Sequence, residues 1–285
     1  MLIKVFAFQW ERIRANAVTF ALVVATALAV MYVGYQDDKM LQATAYLFVM
    51  WLCSFIADVY ALWRPAQNDF VVRNPKRETL HFLVCVGLGI LALVLRFTGI
   101  VDWQHLNGPS RLAIAPLILL FGFPIGMAVI FLLLKYKPRE LGVRFQGLLV
   151  ALPVIAILAI TNRVVSPESL TWNQLMVESG GILGMLFSGF IMAGLSEEFM
   201  RVVGQTRLGA LLHSNSLGWF LTTVIWALMH TPKWYGEDHN MTEALLSVIR
   251  IVPIGLMWGY LTHRTKSILP AVLVHGTNVW GLQNF

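Results

Sequence analysis

Two adjacent glutamates, Glu197 and Glu198, close an apolar run, Gly180 to Leu195, that is long enough to enter a lipid bilayer. Two histidines, His230 and His275, also lie inside apolar runs. A charged side chain costs about 2.5 kcal/mol or more at the centre of a membrane helix, so intramembrane acids and imidazoles are functional candidates by default. The chemistry open to them is proton transfer. One carboxylate accepts a proton from water while a second is fixed by a cation.

Spacing groups these residues. In SEEFMRVVGQTRL, Ser196 to Leu208, a continuous helix would line up Glu197, Arg201 and Gln205 at every fourth position, with Glu198 three residues from Arg201. An ion-pair cluster where a helix leaves the membrane would use the same residues. In WALMHTP, Trp226 and His230 are four apart and share a helix face. In LPAVLVHGTN, His275 and the amide donor Asn278 are three apart. Depth ties the three segments together. Glu197 precedes the basic Arg207 by about 15 Å of helix, His275 follows Lys266 by about 13 Å, and His230 follows Asn215 by about 22 Å. Independent structural histidines have no reason to share a zone, so one buried site reached from the cytoplasmic face is expected.

The elements that must position them are membrane helices. The 285 residues are 58% hydrophobic and only 13% charged, with a mean hydropathy of +0.69, where soluble domains carry about 25% charge. Apolar stretches near the ~20 residues that cross hydrocarbon recur along the whole chain. They fall at 17–35, 43–62, 79–101, 112–134, 147–162, 181–200, 216–230, 244–262 and 267–282. The expected fold is an all-α polytopic transmembrane bundle of eight or nine spans. It forms a single integral membrane domain over 1–285, with catalytic core helices over 180–282.

Most of the 21 Lys and Arg residues, including Arg64, Arg73, Lys76, Arg77, Lys135, Lys137, Arg139 and Arg144, fall on the N-terminal side of this span pattern. That bias sets a cytoplasmic N-terminus. It makes the net charge of +6 a topology signal and excludes nucleic acid as the partner. Residues 1–16 could lie flat as an interfacial helix or serve as a solvated lead-in. Small residues near Ala29 imitate a cleavage site, but the apolar run continues to Tyr35, so an uncleaved first span is expected. Cys53 and Cys85 sit in spans and indicate no disulfide framework. Asp58 is expected to pair with a nearby arginine. The segment 231–240 reads as an outer loop that could influence access.

The order and spacing of these motifs resemble the CPBP family, which comprises CAAX prenyl endopeptidases and bacteriocin-processing or self-immunity (Abi) proteins. The likeness rests on a double glutamate followed by Arg201, the aromatic-xxx-His pair Trp226 and His230, and the Pro-led His275 and Asn278. PRELGVR, 138–144, adds to it. Three departures stand out. The family's EExxxR is EExxR here, its FxxxH carries Trp226, and Asn278 follows His275 by three residues instead of four.

The resemblance implies an intramembrane endopeptidase of glutamic type. Glu197 and His230 would hold and deprotonate a water, and His275 and Asn278 would donate to the oxyanion. Arg201 and Glu198 would fix Glu197, with Trp226 as an aromatic wall. It implies a peptide or protein substrate within a lipid bilayer, such as prenylated proteins, leader peptides or C-terminal sorting tails, and a prokaryotic cytoplasmic membrane. No cofactor is implied; a zinc site built from the same Glu and His residues is the metal alternative. A scaffold or immunity protein that binds a peptide without cutting it is the non-enzymatic alternative. A proton-coupled transporter is a third, although no inverted repeat is evident.

Overall fold

The computed structural model describes residues 2–66, 69–97, 124–166, 172–277 and 282–283. Among the described residues every regular element is helical, because a backbone in lipid must satisfy its N–H and C=O groups internally. The order is α1 (Leu2–Ala15), α2 (Ala17–Gln36), α3 (Met40–Trp63), α4 (Pro75–Phe97), α5 (Pro124–Leu133), α6 (Ala151–Val165), α7 (Trp172–Glu178), α8 (Ile182–Leu186), a π-helix (Phe187–Leu195), α9 (Ser196–Leu211), α10 (Asn215–Leu228), α11 (Thr231–Asp238), α12 (Met241–Thr265) and α13 (Leu269–Thr277).

Six helical stretches among the described residues are long and apolar enough to cross a membrane: Ala17–Gln36, Met40–Trp63, Pro75–Leu95, Leu148–Val165, Ile182–Leu211 and Met241–Thr265. The expected span 112–134 lies mostly outside the described residues. The expected spans 216–230 and 267–282 appear as α10 and α13, with 14 and 9 described helical residues. At about 21 Å, α10 is too short to cross ~30 Å of hydrocarbon alone. The chain turns at His230 because Pro232 sits in the first turn of α11. A proline has no N–H to give and is suited to begin a helix there. The expected outer loop 231–240 is therefore mostly helical.

The last long helix, α12, forms the central post. Asn240 caps it, accepting from the backbone N–H of Thr242 at 3.0 Å. Pro253 breaks its ladder from within. The Tyr46 hydroxyl of α3, fully buried, fills the gap: it accepts from the Ile254 N–H at 2.9 Å and donates to the Arg250 carbonyl at 2.8 Å. One hydroxyl thus stands in for an i→i−4 bond at the kink.

Polar side chains lock the basic end of the bundle. Asp58, fully buried on α3, meets Arg264 of α12 at 2.7 Å. It also accepts from Tyr260 at 2.7 Å and from Gln9 of α1 at 2.9 Å. The expected aspartate–arginine pair is present, and it also pins α1 onto α3 and α12. Arg207 is buried against Glu78 of α4 at 3.0 Å. In the turn after α5, the Lys137 backbone N–H, with Arg73 beside it, holds the Glu140 carboxyl below the ordinary range. Cys53 and Cys85 are free and buried.

Candidate active site

The glutamates open α9 directly after the nine-residue π-helix. A π-turn widens the helix and alters the face presented by the residues that follow, and such turns recur at functional sites. Its small residues admit a neighbour. A Cβ at Gly194 would lie 2.7 Å from the Val272 carbonyl oxygen of α13, so that contact depends on glycine. Three residues after Val272 comes His275, carried by this close approach onto the glutamates.

Glu198 is 1% exposed. Its Oε1 accepts from Arg201 Nη2 and lies 2.8 Å from His275 Nδ1. Arg201, also 1% exposed, donates its Nη1 to the Gly255 carbonyl of α12 at 2.7 Å. Its guanidinium lies between two indoles, 4.5 Å from the Trp226 ring centre and 5.1 Å from that of Trp258. Two buried opposite charges need such contacts, since each loses its hydration. Arg201 therefore turns to Glu198 and not to Glu197.

Glu197 is held differently. Its side chain is 28% exposed, its Oε2 accepts from Trp226 Nε1 at 2.5 Å, and the same oxygen lies 3.8 Å from His275 Nε2. The imidazole of His275 thus has a carboxylate against each nitrogen. It also stacks on Trp258, with ring centres 3.7 Å apart at 15°. The ring has little freedom to rotate.

The remaining sequence-derived residue on view is His230. Its ring meets Trp226 edge-on at 4.9 Å and stacks on Trp234 of α11 at 5.5 Å. Its Nδ1 lies 3.0 Å from the Trp226 carbonyl oxygen. Among the described residues it makes no hydrogen bond or ion pair with either glutamate; it shares with Glu197 a contact to the Trp226 indole. Asn278 lies outside the described residues. Around the cluster, Glu198 Oε2, Arg201 Nε and both amide atoms of Gln205 are buried without a hydrogen-bond partner among the described residues. Among the same residues no group of three or more His, Cys, Asp or Glu side chains is gathered in a way that could hold a metal ion.

The glutamate pair, the Trp226–His230 pair, the Pro-led His275 and the arginine all fall in one stretch of chain. Residues 179–281 match the Rce1-like family model, described as type II CAAX prenyl endopeptidase Rce1-like. The Rce1-like match supports a CAAX-type intramembrane protease in general. Together with the apolar helices it makes the chain an integral membrane protein. No curated protein and no solved structure matches the chain.

Within the Rce1-like stretch, two contributors escaped the motif analysis. Trp258 forms the floor under His275, and Gly255 offers Arg201 its carbonyl. A signal for both was present in GLMWG, where Gly255 and Gly259 are four residues apart and let a partner helix approach closely. A Cβ at Gly255 would lie 2.7 Å from the Trp226 ring.

Proposed function

We propose that this chain is an intramembrane endopeptidase of glutamic type that hydrolyses a peptide bond of a membrane-associated substrate, prenylated or leader-bearing. The observation that carries the proposal is the pairing of Glu197 Oε2 with His275 Nε2 at 3.8 Å, while His275 Nδ1 is held by Glu198. A water about 2.8 Å from both atoms would touch the base and the imidazole at once. Glu197 takes the proton from this water as it attacks the scissile carbonyl, and returns it to the amide nitrogen as the oxyanion collapses and the C–N bond breaks. His275 stays against Glu198 through Nδ1, and its Nε2 side faces the developing oxyanion as a donor. Preorganised donors of this kind contribute about 3–4 kcal/mol.

Glu198 and Arg201 act on His275 as positioning residues, and the Trp226 N–H orients the Glu197 carboxylate. The roles of His230 and Asn278 are a second contact to the water and a second oxyanion donor. The partnerless atoms of Glu198, Arg201 and Gln205 favour water in this zone, since buried polar groups seek partners. Residues 180–282 are the catalytic core of this reading, in a prokaryotic cytoplasmic membrane. The greater exposure of Glu197 favours it over Glu198 as the base.

The test is Glu197→Gln in protein that inserts and accumulates normally, assayed against a membrane-peptide library. Cleavage should disappear. Retained cleavage removes Glu197 as the base and points to Glu198. Metal analysis of the purified active protein addresses the zinc alternative: stoichiometric zinc that is needed for activity overturns the glutamic scheme.

A further inference from the structure

Away from the glutamates, which do not line it, lies a cavity with Trp219 in its wall; the Trp219 indole donates to the Leu256 carbonyl at 3.0 Å. It has a volume of about 400 Å³ and is enclosed by α1, α2, α3, α10 and α12. Its chemistry is divided along its length. Gln9, Arg12, Asn16 and His263 stand at the basic end of the bundle, and the walls beyond them are almost wholly apolar. From Asn16 to Ala27 along α2 is about 16 Å at the helical rise. One leaflet of hydrocarbon is about 15 Å, half of the ~30 Å core.

The polar end carries a cation that is not fully satisfied. Arg12 Nη2 lies 3.1 Å from His263 Nε2, while Nη1 is shielded from solvent and has no acceptor among the described residues. Asp58, Tyr260 and Arg264 hold α1 over this end, as the Gln9–Asp58 bond shows. Phe20 and Trp51, both lining the cavity, are more than 40% exposed and open it sideways to hydrocarbon. A leaflet-deep apolar slot with a guanidinium at its basic mouth has the charge and shape of one lipid.

We infer that this cavity binds a glycerophospholipid of the cytoplasmic leaflet, with its phosphate on Arg12 and an acyl chain between α2, α3 and α12. The inference does not depend on the proteolytic mechanism, because none of Glu197, Glu198, His230 or His275 lines the cavity.

The experiment is native mass spectrometry of the full chain in mild detergent, titrated with palmitoyl-oleoyl phosphatidylglycerol or with the diacylglycerol of the same chains. Wild type should retain one phosphatidylglycerol and bind the diacylglycerol at least tenfold more weakly. Arg12→Met should lose that preference. Ala27→Trp, which fills the inner end and leaves Arg12 in place, should lose retention while its melting temperature stays near wild type. The inference is overturned by equal retention of the two lipids, by detergent alone, by a prenylated peptide displacing the phospholipid, or by unchanged retention in a folded Ala27→Trp protein.

Discussion

Removing the charge of Glu198 while keeping its shape should cost stability, because the charge balances a buried arginine. Among the described residues, Oε1 accepts from Arg201 and lies against His275 Nδ1, while Oε2 has no hydrogen-bond partner. Glu198→Gln can keep its amide oxygen at the Oε1 position, so both geometric contacts survive and only the charge is lost. Arg201 then remains as a buried cation between two indoles. At contact distance and an effective dielectric of about 20, the lost attraction is about 4 kcal/mol, and breaking one partner of a buried pair costs about 3–5 kcal/mol. For a domain of this size that lowers the melting temperature by roughly 6–20 °C. Arg201→Met should cost a similar amount, because Glu198 is then the uncompensated charge. The double variant Glu198→Gln/Arg201→Met removes both charges together and should cost at least about 2 kcal/mol less than the two singles summed. Melting followed by tryptophan fluorescence in one detergent reads all four proteins. Additive losses would refute the buried-pair argument.

Three further outcomes follow from named contacts. Glu197→Gln should leave the melting temperature within about 2 °C of wild type, since its side chain is partly open and makes no ion pair with arginine, while cleavage is lost. Tyr46→Phe strands the Ile254 N–H and the Arg250 carbonyl at the Pro253 kink and should cost about 1–3 kcal/mol, measured by the same melts. Gly255→Ala forces the Trp226 ring away from α12; the indole that orients Glu197 shifts with it, and cleavage should fall on the order of 10–100-fold in protein that still accumulates.

The all-helical membrane bundle was legible from composition, because 58% apolar residues in stretches of membrane length leave few other folds. The depth argument placed Glu197, His230 and His275 in one zone; among the described residues His275 lies against both glutamates, while His230 makes its polar contact to the Trp226 carbonyl. The fate of 216–230 was not legible. Hydropathy counts apolar residues and does not see that Pro232 starts a new helix at His230. The partner of each glutamate was also hidden, because i,i+3 and i,i+4 contacts to Arg201 are equally reachable on a regular helix. The choice is made by α13, which brings the His275 ring to Glu198, and by α10, which supplies the Trp226 N–H to Glu197.

The shortened EExxR spacing can be understood on the same grounds. In EExxxR the second glutamate stands four residues before the arginine; in this chain it stands three before, and both separations bring the side chains together on a helix. The loss of one residue therefore preserves the Glu198–Arg201 pair. What it adds is an i,i+4 relation between Glu197 and Arg201, which could have paired them and neutralised the candidate base. Two contacts oppose that. Arg201 spends Nη1 on the Gly255 carbonyl and Nη2 on Glu198, and its guanidinium is held between Trp226 and Trp258. The Trp226 N–H meanwhile holds Glu197 at the edge of the indole. A tryptophan at this position does what a phenylalanine could not: it is a wall to the arginine and a donor to the glutamate, so the adjacent acids take different hydrogen-bond donors, Trp226 for Glu197 and Arg201 for Glu198.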